Sequence, residues 1–126
     1  MVSVTLKELP GDYAVARLPR GSAIPDWADG EGFVSIGRTE DELSVVCLAV
    51  RVPDGVRSDA GWTVYKFEGP FEFTETGIAL SVIRPLSEEG ISIFLVSTFD
   101  TDYLLIKTAD RERAGPLLVA AGHKLI

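Results

Sequence analysis

Small and acidic residues gather at two predicted loops in the second half of the chain. One loop is the glycine-containing turn Thr76-Gly77-Ile78, where the apolar spacing predicts that a helix begins. The other reads Ser97-Thr98-Phe99-Asp100-Thr101-Asp102 and joins two predicted strands. Backbone N–H groups at a helix start lack intrahelical acceptors and attract anions. If the helix packs on the sheet, the two loops predict a small polar pocket suited to a carboxylate.

Residues that commonly carry catalysis are sparse. The chain has one histidine, His123, and one cysteine, Cys47, which lies in an apolar run. The sequence contains no G-x-S-x-G elbow, P-loop, H-E-x-x-H or paired C-x-x-C motif. Asp100 and Asp102 are not followed closely by further acidic residues and make a weak metal site. We therefore expect a buried, inert thiol and a protein that is not an enzyme, with no catalytic residues, no cofactor and no metal.

Composition and charge narrow the class of partner. The 126 residues are 46% hydrophobic and carry a formal net charge of −7, so the chain has material for a core and would repel nucleic-acid phosphates. No apolar run approaches the roughly 20 residues that span a bilayer, so no membrane partner is expected. The N-terminus alternates like a strand and does not resemble a signal peptide. A cytoplasmic location is the default expectation.

Sequence periodicity predicts the order β-α-β-β-α-β from Trp62 to Ile126. The predicted strands and helices are 62–67, 78–89, 91–98, 103–107, 109–121 and 123–126. Thr74 or Thr76 is the predicted N-cap of the first helix, and Gly90 follows its end. Pro85, inside that helix, should remove a hydrogen bond and produce a kink. This order predicts an α+β, ferredoxin-like fold with one antiparallel sheet and two helices on one face.

The first half is rich in predicted strands and poor in helix. Strands at 4–9 and 13–18 flank the turn Gly11-Asp12 and are predicted to form a hairpin. The longest apolar run, 43–52, predicts a central strand. Residues 53–61 are polar and irregular and are predicted to link the halves. We therefore divide the chain into 1–60, expected to be a degenerate copy of the unit, and 61–126, the complete unit.

Two blocks of sequence match, in order and spacing, the motifs of a known family. The block from Phe33 to Ser44 resembles F-S-I-T-R-T-x-x-E-L-S, with Gly37 where threonine is common. The second block resembles T-G-I…P-L…I-S-I-F…S-T-F/Y-x-T-D-Y/F and begins at Thr76. These motifs resemble those of the tandem ACT-domain family, which includes the CASTOR-type amino-acid sensors. The resemblance covers nearly the whole chain and implies two tandem ACT-like units.

This resemblance implies a regulatory role. ACT domains bind small molecules, usually amino acids, and regulate another protein. In the arginine-sensing relatives the ligand lies between two C-terminal-type units. Those sensors have four ACT units in one chain and this chain has two at most, so a homodimer is implied. The resemblance assigns Ser92 and Ile93 to one subunit. It assigns Gly77, Thr98, Phe99 and Asp102 to the other, beside Thr76 and Ile78 at the helix start.

Each assigned residue also has a structural interpretation. Gly77 permits close approach of a ligand or simply serves the turn. Thr98 contacts the ligand or caps the hairpin loop through local bonds. Asp102 pairs with a cationic group or is a solvated turn residue. Phe99 covers the ligand or lies in the core. Ser92 contacts the ligand or is an interface residue with no ligand role. The alternative function is accordingly a non-catalytic interaction module that keeps the fold and binds no ligand.

Overall fold

The computed structural model describes residues 2–69, 71 and 76–126, and within them the chain forms eight strands and two α-helices. The elements are β1 (Thr5–Glu8), β2 (Tyr13–Pro19), β3 (Ser35–Arg38), β4 (Glu42–Leu48), β5 (Ser58–Phe67), α1 (Ile78–Ser87), β6 (Ile93–Ser97), β7 (Asp102–Lys107), α2 (Arg111–Ala120) and β8 (Lys124–Leu125). No described helix is long and apolar enough to cross a bilayer.

The contacts divide the chain into two units, one of them discontinuous in sequence. The C-terminal unit comprises residues 2–9 with Thr63–Ile126, and the N-terminal unit comprises Pro10–Trp62. The second boundary lies two residues from the division predicted at position 60. The strand β1, however, groups with the second half of the chain and not with the first.

In the C-terminal unit the sheet order is β8-β1-β5-β7-β6. β1 runs antiparallel to β5 and parallel to β8, and β6 runs antiparallel to β7. The chain order β5-α1-β6-β7-α2-β8 confirms the predicted β-α-β-β-α-β unit. The predicted hairpin at Gly11-Asp12 is wrong, because β1 pairs with β5 and β8 whereas β2 pairs with β4 and β5. Pairing of β1 with β5 and β8 is favoured over the local hairpin because it buries Leu6 completely in the core.

Both helices pack on one face of this sheet, as predicted. Their buried side chains meet those of alternate strand residues in one cluster, which includes Val82, Leu86, Ala114 and Leu118 from the helices and Leu6, Tyr65, Phe67, Leu104 and Ile106 from the strands. Since successive strand residues point to opposite faces, Lys66 and Tyr103 lie on the face away from the helices. That face carries part of the candidate site.

The helix α1 begins at Ile78, as predicted, but its N-cap lies one residue after the predicted Thr76. Gly77 occupies the N-cap position, with φ 79°, and no side chain caps the first turn. The predicted N-cap at Thr76 is therefore wrong, and Thr74 lies outside the described residues. Gly90 follows the helix with φ 74°, a left-handed conformation that glycine adopts readily.

Pro85 leaves the Ser81 carbonyl without its helical partner, and His123 supplies one. The His123 Nε2 atom lies 2.8 Å from the Ser81 oxygen, and the Val4 N–H donates to His123 Nδ1 at 3.1 Å. Because Nδ1 accepts this bond, Nε2 is the nitrogen that donates to the Ser81 oxygen. His123 is 5% exposed. The ring therefore joins α1 to Val4, the residue before β1.

In the N-terminal unit the strand order is β3-β4-β2-β5, with antiparallel pairing throughout. β4 is central, as predicted, but it ends at Leu48, and Ala49–Arg51 forms a 3-10 turn. Cys47 is fully buried in this unit's core, and burial raises the pKa of its thiol. The thiol therefore stays protonated near neutral pH and has no reactive character.

The Pro85–His123 arrangement predicts a specific coupling of stabilities. His123→Ala should lower the free energy of unfolding by about 1–3 kcal/mol, because it leaves two buried backbone groups unpaired. In a Pro85→Ala background the loss should be smaller, since the alanine restores a backbone N–H that can bond to the Ser81 carbonyl. Urea denaturation of the four proteins measures the coupling. Pro116→Ala, the same change in α2, should combine additively with His123→Ala. If the effects of His123→Ala and Pro85→Ala on the free energy of unfolding also add, the role assigned to His123 is contradicted.

Candidate ligand-binding site

The start of α1 presents a glycine beside open space. Apart from its neighbours in the chain, a Cβ atom added to Gly77 would meet no heavy atom of the described residues within 4 Å. The Gly77 carbonyl accepts the first helical hydrogen bond from Ser81 N–H at 3.0 Å. Ile78 is half-buried and packs against the core, whereas Thr76 is exposed. The positive φ of Gly77 satisfies the turn, and the open space leaves room for a ligand near the helix start.

The β6–β7 loop is closed by hydrogen bonds of two threonines. Thr98 N–H donates to the Thr101 carbonyl at 2.8 Å, and the Thr98 hydroxyl donates to the same oxygen at 3.1 Å. Thr101 N–H in turn donates to Thr98 Oγ1 at 3.3 Å. The buried Thr101 hydroxyl donates to the Phe67 carbonyl at 2.6 Å, which anchors the loop to the end of β5. Thr98 therefore has the loop-capping bonds that were predicted as its structural alternative.

Asp102 and Phe99 occupy different positions in the same hairpin. The Asp102 carboxylate accepts a hydrogen bond from the hydroxyl of Ser97, its partner across the strands. Phe99 is 79% exposed at the loop tip, so the alternative that placed it in the core is wrong. An exposed aromatic ring can cover a small ligand.

Ser92 and Ile93 lie at the start of β6, the end opposite to the β6–β7 loop. Ile93 pairs with Ile106, and Ser97 pairs with Asp102, so the whole strand separates Ser92 from Thr98. At the usual rise of a strand, this separation amounts to about 20 Å. Ser92 is exposed, and Ile93 is half-buried against the core. A single copy of the chain therefore does not bring the eight predicted residues into one site.

In the described part of the C-terminal unit, Gly77 and Thr98 line different concavities. Gly77 lines a groove of about 450 Å³ that runs along α1 past Leu80 and Pro85. Thr98 lines a polar pocket of about 240 Å³, here called the Lys66 pocket, whose lining residues are Lys66, Gly69, Thr98, Asp100, Thr101 and Tyr103. Sequence reasoning missed Lys66, Gly69 and Tyr103. A single lysine in an alternating strand and a glycine after it carry no recognisable motif.

A second polar cluster joins β1, β5 and the start of α2. The Tyr65 hydroxyl donates to Glu8 Oε1 at 3.2 Å, and Arg111 holds the same carboxylate with contacts of 2.6 and 3.1 Å. Burial, followed by the charge of Glu8, raises the pKa of Tyr65 to about 12. The phenol therefore stays protonated near neutral pH and serves as a fixed hydrogen-bond donor. No group of three or more His, Cys, Asp or Glu suited to a metal occurs in the described ranges.

The helix-covered sheet is antiparallel except for the β1–β8 pair. Together with the helix N-capped by Gly77 and the threonine-closed hairpin, it defines a ferredoxin-like α+β unit. The family model of the ACT domain matches residues 57–119, and a separate model of an N-terminal domain matches residues 11–55. The chain belongs to the ACT-domain family. This finding confirms the family and the fold class indicated by the sequence motifs.

Two curated relatives are larger than this chain. The human putative protein CASTOR3P is 33% identical over 109 residues, which cover 84% of this chain and 55% of CASTOR3P. The bovine cytosolic arginine sensor for mTORC1 subunit 1 is 29% identical over 110 residues, which cover 84% of this chain and 26% of the sensor. The chain thus spans about half of the first relative and about a quarter of the second.

Solved structures share the architecture. A crystal structure of an Agrobacterium tumefaciens protein is 58% identical, with a TM-score of 0.96, and the match covers 100% of this chain and 94% of that one. The regulatory subunit of aspartate kinase from Thermus flavus has a TM-score of 0.60 at 10% identity, with coverage of 95% and 97%. The second likeness shows the shared fold alone.

The conformation of Gly77 predicts a graded cost of substitution. Gly77→Ala should lower the free energy of unfolding by about 1–2 kcal/mol, because an alanine is strained at a left-handed φ. Gly77→Asn should cost less, since asparagine tolerates this region. Gly21→Ala is the matched control: its Cβ also meets open space, and its φ is not positive. Equal urea stabilities for the two alanine variants would contradict the assigned strain.

Proposed function

We propose that this chain is a regulatory ACT protein that binds an amino acid between the C-terminal units of a homodimer. Membership of the ACT family supports a regulatory, ligand-binding role. We infer the dimer from one observation: the motif residues lie at opposite ends of β6, about 20 Å apart. A second copy of the chain can bring the two ends together.

The position of β6 in the sheet supports a specific arrangement of two copies. Among the described strands, β6 pairs with β7 alone, so it lies at the edge of the described sheet, where a second copy of the chain can pair. If two β6 strands pair antiparallel across a twofold axis, the start of one lies beside the end of the other. Ser92 and Ile93 of one copy then lie near Thr98 and Asp102 of the second copy. Symmetry creates two equivalent sites per dimer.

The chemistry of this arrangement suits an α-amino acid. The N–H groups at the start of α1 attract a carboxylate, and the open space at Gly77 admits it. Backbone carbonyls at strand ends accept from the ammonium. Asp102 accepts from the ammonium or from a cationic side chain, and the exposed ring of Phe99 covers the ligand. The bovine relative is called an arginine sensor, so arginine is the first ligand to test.

Regulation would follow from linkage. A ligand stabilises the state that binds it better, so binding between two units favours the paired dimer over its alternatives. The change in the dimer would alter the surface offered to a regulated protein partner. In this proposal the chain acts in the cytoplasm, has no catalytic role and needs no cofactor.

An interaction module without a ligand is the second candidate function. One observation favours it: the polar groups of Thr98 and Asp102 already have local hydrogen bonds to Thr101 and Ser97. In that case the motif would preserve the hairpin, and the β6 edge would serve association alone.

Thermal melting with each of the twenty amino acids tests the proposed function. A ligand at about 100 times its Kd adds roughly 2.7 kcal/mol, which should raise the Tm by several degrees. Asp102→Ala should abolish that shift. Val96→Lys should reduce it, because a lysine on an edge strand opposes strand pairing. Val119→Lys is the matched control, since Val119 is 57% exposed on α2.

Sedimentation equilibrium measures the oligomeric state of the same variants in parallel. We expect a dimer for the wild type and Val119→Lys and a monomer for Val96→Lys. An intact dimer with no Tm shift in the whole panel would support the interaction module instead. A monomer that binds an amino acid with unchanged affinity would contradict binding between two copies.

A further inference from the structure

We propose that the sheet face pointing away from α1 and α2 is a docking surface for a short acidic segment of another protein. All four lysines of the sequence lie on this face: Lys7, Lys66, Lys107 and Lys124. The inference rests on the proposed regulatory role, because it supplies a surface that a regulated protein would contact. It does not involve the amino-acid site between two copies.

The alternation of the strands places the lysines on this face. In each case a neighbouring residue belongs to the core cluster under the helices, namely Leu6, Phe67, Ile106 and Leu125 in the order given above. Since successive strand residues point to opposite faces, each lysine points away from the helices. Among the described strands of the C-terminal unit, the carboxylates Glu8 and Asp102 alternate the other way. Positive and negative charges of the strands are thereby separated onto opposite faces.

Three of the lysines form a row across adjacent strands, here called the lysine row: Lys124 on β8, Lys7 on β1 and Lys66 on β5. Lys7 lies directly opposite Lys66, and Lys124 pairs with Thr5, two residues before Lys7. At the usual spacing of strands, the row spans about 10 Å. Lys7 and Lys124 are exposed, and Lys66 is half-buried. One anionic segment can therefore reach all three ammonium groups.

No carboxylate of the described residues forms an ion pair with the lysine row. Two acidic residues lie near it: Glu68 follows Lys66 by two positions, and Asp100 lines the Lys66 pocket. Like charges directly opposite each other in a sheet repel, so the Lys7–Lys66 pair costs free energy until an anion lies beside it. The lysine row therefore attracts carboxylates from outside the chain.

The charge on the rest of the chain indicates which anion fits. Because the net charge is −7, a nucleic acid or an anionic membrane would meet repulsion beyond the lysine row. Since the Debye length is about 8 Å at physiological ionic strength, a short segment experiences chiefly the lysines that it contacts. The half-buried ring of Tyr103 lines the Lys66 pocket and offers an apolar contact beside the row. A short peptide with several carboxylates and an apolar side chain matches this surface.

Fluorescence anisotropy of the full chain with a labelled oligoglutamate peptide tests this inference. We expect binding at low salt that weakens as salt is raised, because exposed charges are screened. Lys7→Gln, Lys66→Gln and Lys124→Gln should each weaken binding about threefold, and the triple variant at least about tenfold. Glu68→Gln should strengthen binding, since it removes a nearby negative charge. Arg84→Gln is the matched control: it removes one charge from an exposed residue of α1 and should change the affinity less than about twofold.

A second triple variant separates the loss of charge from a folding defect. Lys7→Arg, Lys66→Arg and Lys124→Arg together keep the positive charges and should preserve peptide binding. Equal losses in Arg84→Gln and in the single lysine variants would overturn the lysine row, as would no peptide binding at low salt. Tighter binding of single-stranded DNA or phosphatidylserine vesicles through the same lysines would overturn the assignment to an acidic protein segment.

Thermal melting with amino acids distinguishes this inference from the proposed function. The Tm shift expected from the site between two copies should persist in the glutamine triple variant. If that shift occurs but the oligoglutamate does not bind, the lysine row alone is overturned. If the peptide binds through the lysine row but no amino acid shifts the Tm, the docking surface is supported and the amino-acid site is contradicted.

Discussion

The insertion of β1 between β5 and β8 is the constraint on which the C-terminal unit depends. This strand and the residue before it bury Leu6 and Val4 under the helices, and the strand pairs with a neighbour on each side. The N–H of Val4 also fixes the His123 ring, which in turn bonds to the Ser81 carbonyl that Pro85 leaves free. One short segment therefore holds together the sheet, the start of β8 and the middle of α1.

Periodic patterns were sufficient to predict the order from β5 to β8, because each element shows its buried face in its own residues. The position of β1 could not be predicted in this way. The local signal at Gly11-Asp12 favours a hairpin, and only the pairing with β5 and β8 shows that Leu6 enters the core of the other unit. The role of His123 was hidden for the same reason, since its partners lie 42 and 119 residues away in the chain.

The candidate site likewise has parts that the sequence could predict and parts that depend on non-local pairing. Motif spacing predicted Gly77, and the left-handed conformation found there gives a physical reason for that glycine. The spacing could not show that Ser92 and Thr98 lie at opposite ends of one strand, because that follows from the β6–β7 register. Nor could it single out Lys66, because the other residues that line its pocket include Thr98 and Tyr103, which are distant in the chain.

The bonds already made in the hairpin limit what each residue can offer a ligand. The Thr98 hydroxyl uses its one proton on the Thr101 carbonyl and one lone pair on Thr101 N–H. It can therefore accept from a ligand ammonium but has no proton for a carboxylate. Asp102 keeps free acceptor positions after it binds Ser97. Both side chains thus favour the cationic end of a ligand. In the proposed interface site the carboxylate is therefore assigned to the helix start at Gly77.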